Sequence, residues 1–307
     1  MNEEIKRAVG LLIIEVVNSN PNGDPDRESD PRQRANGLGE ISPVSFKRKL
    51  RDLVECKDQP VFATLKNRLQ LDDGCFEILE SRGRDRNAIK KEMQDGAGND
   101  FMKSTFVRKY WDARIFGNTF LESNKDKGKA EEESSTKKKT EENIAKKTIK
   151  TGVVQFGMGI SVKPIEVIRQ TNTNKAGVEE GKDRGMAPLA YRVVTHAVYC
   201  MPFFVNPTYA PKSGCTQKDI DLLKALIPYA YDHTRSAIRP DVRIRHAWYI
   251  EHKNALGSCP DYLLIEALTP KAKVDDPASW SDYDVPNQLP KELASRIESC
   301  SDLMAGI

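Results

Sequence analysis

The sequence predicts an α+β fold with a βαββαβ core and two insertions. Three observations predict it. Residues 7–17 (RAVGLLIIEVV) form a Val- and Ile-rich run, long enough for a fully buried central strand and too short to cross a membrane. The run stops at Asn18-Ser19-Asn20-Pro21-Asn22-Gly23-Asp24-Pro25, where Asn-Pro, Asn-Gly and Asp-Pro pairs signal turns. A helix with a clear start then opens at Ser42-Pro43, and later stretches alternate apolar and polar residues as strands do.

Each element follows from its residues. Ser42 suits an N-cap and Pro43 the first helical position. Phe46, Leu50, Leu53 and Val54 recur at helical spacing, which predicts a helix over 43–56. Between 57 and 112, VFATLKNRLQL, GCFEILESRGRDRNAIKKEMQ and FMKSTFVRKYWD read as helices, with a loop at 95–100. Residues 113–121 (ARIFGNTFL) read as a short strand or turn. Residues 122–150 are Lys-rich and nearly devoid of apolar side chains, so burial cannot offset the entropy of ordering them and disorder is expected.

Residues 152–162 (GVVQFGMGISV) read as a strand with glycines 157 and 159, residues 164–171 as an extended arm, and 191–204 as a β-rich run. A projecting hairpin over 163–190 is the consequence. Thr216 opens a helix with a capping pattern that ends near Tyr231. Residues 242–251 (VRIRHAWYIE) alternate cleanly as a strand. Residues 262–268 read as a second short strand, and 289–304 as a closing helix. The strong elements are β 6–17, α 43–56, β 152–162, β 191–203, α 217–231 and β 242–251. That order is the ferredoxin-like or RRM-like arrangement, in one domain over 1–307. Its insertions are a helical region at 57–150 and a hairpin at 163–190.

Composition narrows the function classes. The chain has 307 residues, enough for a sizeable core. Net charge is only +3, so a nucleic-acid site would have to be a local concentration of charge. No run of 18 apolar residues and no apolar N-terminal segment occurs, which implies a cytoplasmic chain with no membrane partner. Six scattered cysteines form no CxxC pair and four histidines no HExxH, so neither a zinc site nor any other metal or cofactor is expected.

Local charge does concentrate in the first helix. Lys47, Arg48, Lys49 and Arg51 fall within five positions, with no acid before Asp52. A solvated polar face is one reading. Cations are nonetheless misplaced near a helix N-terminus unless an anion joins them there, and backbone N–H groups with cations bind phosphate.

These residues carry a resemblance. The string Asn18 to Asp26 (NSNPNGDPD), the glycines Gly37 and Gly39, and Phe46-Lys47-Arg48-Lys49-Leu50-Arg51 resemble the opening of the crRNA-binding backbone subunit of CRISPR Cascade complexes, most closely the type I-C and I-B branch. Tyr110-Trp111-Asp112-Ala113-Arg114-Ile115-Phe116-Gly117, Gly152-Val153-Val154-Gln155-Phe156 and Asp232-His233-Thr234-Arg235-Ser236-Ala237 continue it across most of 8–255. Two features depart from the pattern: the length of the 122–150 stretch, and the region after Pro270.

The resemblance implies an RRM-like core with a helical insertion and a β-hairpin thumb. It implies a non-catalytic subunit that polymerises head to tail along crRNA, grips it by its phosphates and presents it for pairing with target DNA. Its partners would be crRNA, copies of itself, other Cascade subunits and a recruited nuclease-helicase. Carried onto this sequence, Lys47, Arg48, Lys49, Arg51 and Arg114 would contact phosphates. Gln155 and Arg169 would line the guide path, and Met186 would be the thumb's wedge. An intramolecular pairing of Arg114 with a core carboxylate is the alternative at that position. The first predicted strand lacks aromatics, so base stacking on the sheet face is not expected.

Two rival functions stay open at this point. Asp24, Asp26 and Asp30 share one loop and could hold Mg²⁺, as in the metal-dependent RNase backbone subunits of type III effector complexes. Arg27, Arg32 and Arg34 share that loop and explain the acids equally well as paired charges. A generic RRM-type RNA-binding adaptor is the other alternative.

Overall fold

The computed structural model describes residues 4–81, 85–98, 100–118, 149–175 and 186–306. The Lys-rich stretch from 119 to 148, the arginines at 82 and 84, and the hairpin tip at 176–185 lie outside them, and with them the expectation of disorder.

Strand β1 (Ala8–Ser19) is the centre of an eight-stranded antiparallel sheet. Its neighbours are β6 (Met186–Val205) and β7 (Val242–His252). Beyond β6 lie β4 (Gly159–Pro164) and then β2 (Leu38–Ile41); beyond β7 lies β10 (Ile297–Asp302). Strands β3 (Val154–Phe156) and β5 (Val167–Lys175) also pair with β6. A separate two-stranded ribbon joins β8 (Lys271–Ala272) to β9 (Tyr283–Asp284).

The uninterrupted apolar run of β1 reflects burial on both faces. Leu12, Ile14 and Val16 join the larger core, with Phe46, Leu50 and Leu53 of α1 (Pro43–Glu55) and Leu223 and Leu226 of α6 (Gln217–Leu226). Val9, Leu11 and Ile13 join a second core under α7 (Asp261–Leu268), Tyr283, Leu289 and Ile297. Each such side chain contributes about 1.5–3 kcal/mol, so β1 alone is worth on the order of 10 kcal/mol before entropy is counted. Gly10 is required at its place: it faces Phe203, whose ring lies 2.1 Å from where a Cβ would stand.

The helical insertion contains α2 (Pro60–Leu69), α3 (Arg86–Gln94), α4 (Thr105–Lys109) and α5 (Trp111–Phe116). Its own small core gathers Leu79, Met93, Phe106 and Tyr110. Several predicted elements take a different form. Residues 74–81 are irregular, because Glu77 bridges to Tyr110 and breaks both segments. Residues 111–116 are helix instead of strand or turn, with all six side chains buried. Residues 152–162 split into β3 and β4 at Gly157-Met158.

The largest differences fall near the C-terminus. Residues 261–268 are α7, with Leu264 and Leu268 buried one turn apart. Residues 289–304 hold only a one-turn helix, α8 (Lys291–Ala294), and then β10, which satisfies the open backbone edge of β7. No helix among the described residues is long and apolar enough to cross a membrane.

Candidate nucleic-acid interface

Helical pitch disperses the basic run of α1. Residues 47 and 51 share one face, while 48 and 49 point about 100° and 200° away. Lys47 extends over the Phe116 ring, 4.9 Å from its centroid. Burial, and then the Arg51 charge, push its pKa down. Arg48 is held on its own helix, by Asp52 at 2.7 Å and Glu55 at 2.5 Å, and it donates to the Glu80 carbonyl at 2.7 Å. Lys49 is half-buried; burial, and then nearby Arg239, depress its pKa.

Arg51 and Arg114 are corrections to the expectation that they contact phosphates. Arg51 is 3% exposed and donates to Asp112 at 2.9 Å. Asp112 also accepts the backbone N–H groups of Leu79 at 2.6 Å and Glu80 at 3.1 Å. Arg114 is 4% exposed, and all three of its nitrogens are engaged. It donates to Asp219 at 2.7 Å and to the carbonyls of Val107 at 2.9 Å, Arg108 at 2.6 Å and Cys75 at 2.8 Å. The Trp111 indole donates to the Asp219 carbonyl at 3.2 Å. Withdrawing a guanidinium from a buried carboxylate strands a charge at high cost, so residues 110–117 lock the helical insertion to α6 instead of offering cations.

Three candidates lie along the long strand β6. Gln155 is exposed on β3, opposite Phe204, and its amide bonds the Gly152 carbonyl at 3.3 Å. Arg169 on β5 lies opposite Arg192. The strand from Arg192 to Phe204 reaches up to about 40 Å, so Gln155 and Arg169 do not share a site. Met186 begins β6 opposite Lys175, at the far end of the hairpin.

Sequence reasoning missed Arg192. It lies directly across from Arg169, and both bind the Asp30 carboxylate. Arg192 also donates to the Glu28 carbonyl and carboxylate, each at 2.5 Å. Arg27, Gln33, Asp30, Arg169 and Arg192 line a cleft of about 400 Å³ there. Only the hairpin register could have flagged Arg192, and the residues at its tip do not specify that register.

Two acids of this loop, Asp24 and Asp30, are engaged with its surroundings. Asp24 caps the turn Pro25–Arg27, accepting from the Asp26 N–H at 3.2 Å, and stands 3.7 Å from Arg32. The Arg169 hydrogen bond, opposed by partial burial, holds Asp30 below the usual carboxylate range. Among the described residues no three His, Cys, Asp or Glu side chains group as metal ligands, so the trio Asp24, Asp26 and Asp30 is not a ready Mg²⁺ site.

These parts meet at the C-terminal end of β1. Asn20 bonds the Ile238 carbonyl at 2.8 Å, Val17 the Asp241 carbonyl at 3.0 Å, and the Asn22 side chain accepts from the Ser42 N–H at 2.7 Å. The 20–37 loop, the 236–241 loop, the start of α1 and the base of the β5–β6 hairpin therefore adjoin. The sheet's second face is closed by α7 and residues 280–297, so bases cannot stack across β1 there.

The family model for CRISPR-associated protein Cas7 matches residues 6–288. The chain belongs to that family. Among solved structures it is similar to a chain of "CRISPR RNA-guided surveillance complex, pre-nicking", at 14% identity over 80% of this chain and 77% of that one, with a TM-score of 0.44. A chain of "CRISPR RNA-guided surveillance complex" follows at 14% identity over 78% and 68%, with a TM-score of 0.34. A chain of "Cryo-EM structure of the Type III-B Cmr-beta bound to cognate target RNA" matches at 10% identity over 80% and 61%, with a TM-score of 0.39. No curated protein matches the sequence.

Proposed function

We propose that the chain is the crRNA-binding backbone subunit of a type I CRISPR surveillance complex, of the I-C or I-B branch. Copies follow one another head to tail along the guide and hold it by its phosphates, leaving its bases to pair with target DNA. Other Cascade subunits and a recruited nuclease-helicase complete the assembly. The observation that carries this reading is the family match over residues 6–288.

The clustering of cations supports one path for the guide. Lys49 and Arg239 border one side of the junction at the end of β1, and Arg27, Arg169 and Arg192 border the hairpin base. The hairpin is the thumb, and Met186, placed near its tip, is its wedge. The core is RRM-like: β7, β1, β6 and β4 lie in that order, with α1 after β1 and α6 after β6. The subunit holds RNA without cutting it, in keeping with the engagement of Asp24 and Asp30 by arginines.

Single-stranded RNA titrated at several salt concentrations tests the interface. Lys49→Ala combined with Arg239→Ala should weaken binding about tenfold and flatten the log–log salt slope by about 1.4, the loss of two phosphate contacts. Arg48→Ala should leave the slope unchanged. An unaltered slope in the double variant would contradict this placement of the guide.

A further inference from the structure

We propose that Asp30 is a built-in stand-in for an RNA phosphate, occupying the Arg169–Arg192 pair in the free subunit and giving it up when the guide arrives. The inference rests on the crRNA reading, which supplies the incoming phosphodiester.

Four observations lead to it. First, Arg169 and Arg192 face each other across the hairpin base, where like charges in direct opposition destabilise a strand pair. An anion between them removes that penalty, and Asp30 is that anion: Arg169 hydrogen-bonds it, and the Arg192 Nε lies 3.5 Å from it. Second, a guanidinium fork fits a carboxylate and a phosphate alike, so the Arg169 fork on Asp30, with the Arg192 Nε 3.5 Å away, is already placed for a phosphate's oxygens.

Third, the cluster is open on the Arg169 side. The Arg169 side chain is 69% exposed, against 20% for Arg192 and 14% for Asp30, and the arginines border the 400 Å³ cleft. An ion pair with an exposed partner contributes little and exchanges readily. The Arg51–Asp112 and Arg114–Asp219 pairs are buried and could not yield in this way.

Fourth, Asp30 arrives on a strained loop and not on the sheet. Glu28 and Ser29 both sit in the left-handed region, at φ 49° and 67°, without being glycine. Arg192 holds Glu28 there by its carbonyl and carboxylate. An arriving phosphate would take over both arginines and release Glu28 from Arg192. One negative charge replaces another, so the hairpin base stays neutralised throughout. The free subunit keeps the two arginines of the hairpin base quenched, which restrains indiscriminate RNA binding until a guide can engage the whole surface.

Fluorescently labelled single-stranded RNA, titrated into the purified full chain, tests this. Asp30→Asn should tighten binding by about 3- to 10-fold, the range expected for release of one or two exposed ion pairs. Asp26→Asn removes the same charge from the same loop without touching either arginine, and should change affinity by less than about twofold. Asp30→Glu keeps the anion and should stay near wild type. With Arg169→Ala and Arg192→Ala both present, Asp30→Asn should have no effect. Circular dichroism and thermal melting establish that each variant is folded. A folded Asp30→Asn variant that binds as wild type does, or more weakly, overturns the stand-in and makes Asp30 a permanent clamp. Equal tightening by Asp26→Asn overturns it also, since bulk charge would then be the cause. Failure of wild type and Asp30→Asn alike to bind RNA overturns the crRNA reading itself.

Discussion

Arg114 and Arg169 look alike in the sequence and do opposite work. Arg114 is buried against a fully buried carboxylate, while Arg169 is itself exposed at the surface and reaches in to the Asp30 carboxylate. Nothing in the local string Asp112-Ala113-Arg114 separates a lock from a ligand; the difference lies in Asp219, more than a hundred residues away. The motif was readable, its role was not. Arg114→Ala should cost about 3–5 kcal/mol of stability by stranding Asp219, measured by urea unfolding. A loss of RNA affinity with full stability would return Arg114 to the interface. Gly10→Ala, which drives a methyl into the Phe203 ring, should cost about 1–3 kcal/mol by the same measurement, and a neutral result would mean that the ring moves aside freely.

Elements with strong local signals formed where the sequence placed them. Ser42 caps α1 by accepting from the Ser45 N–H, and the Thr216–Asp219 capping box opens α6. Elements decided by distant partners did not. The run YLLIEAL suits strand or helix, and packing of Leu264 and Leu268 on β1 selects helix. Strand β10 exists because β7 has an open edge and Asp302 anchors the end of the pair. Its carboxylate accepts from the Ala247 N–H at 2.9 Å and lies 2.8 Å from His246 Nδ1. Burial alone would raise the Asp302 pKa, but these bonds outweigh it and hold it below the ordinary 3.8. A lowered carboxylate pKa contributes stability that is full above the unfolded value and fades as pH falls through the folded one. Thermal melts should therefore show Asp302→Asn less stable than wild type at pH 6, with the gap closing below about pH 3.8. A gap independent of pH would show that the charge is not what anchors β10.

For the whole molecule, β1 sits between two cores, and the segment from α7 to β10 covers the second of them. That cover takes the sheet face away from RNA and leaves the end of β1, with its loops and hairpin base, as the place where cations gather. The family was readable from four short motifs in order. The proposed interface was only half readable, because the α1 basic run divides among three directions and the Arg169–Arg192 pairing emerges only from strand register. The central claim is that several copies of this chain hold one crRNA. Purification from cells expressing a CRISPR array, followed by size-exclusion and sequencing of bound RNA, tests it most directly. The account predicts a multi-copy oligomer carrying guide RNA of one or a few lengths, and an RNA-free monomer would contradict it.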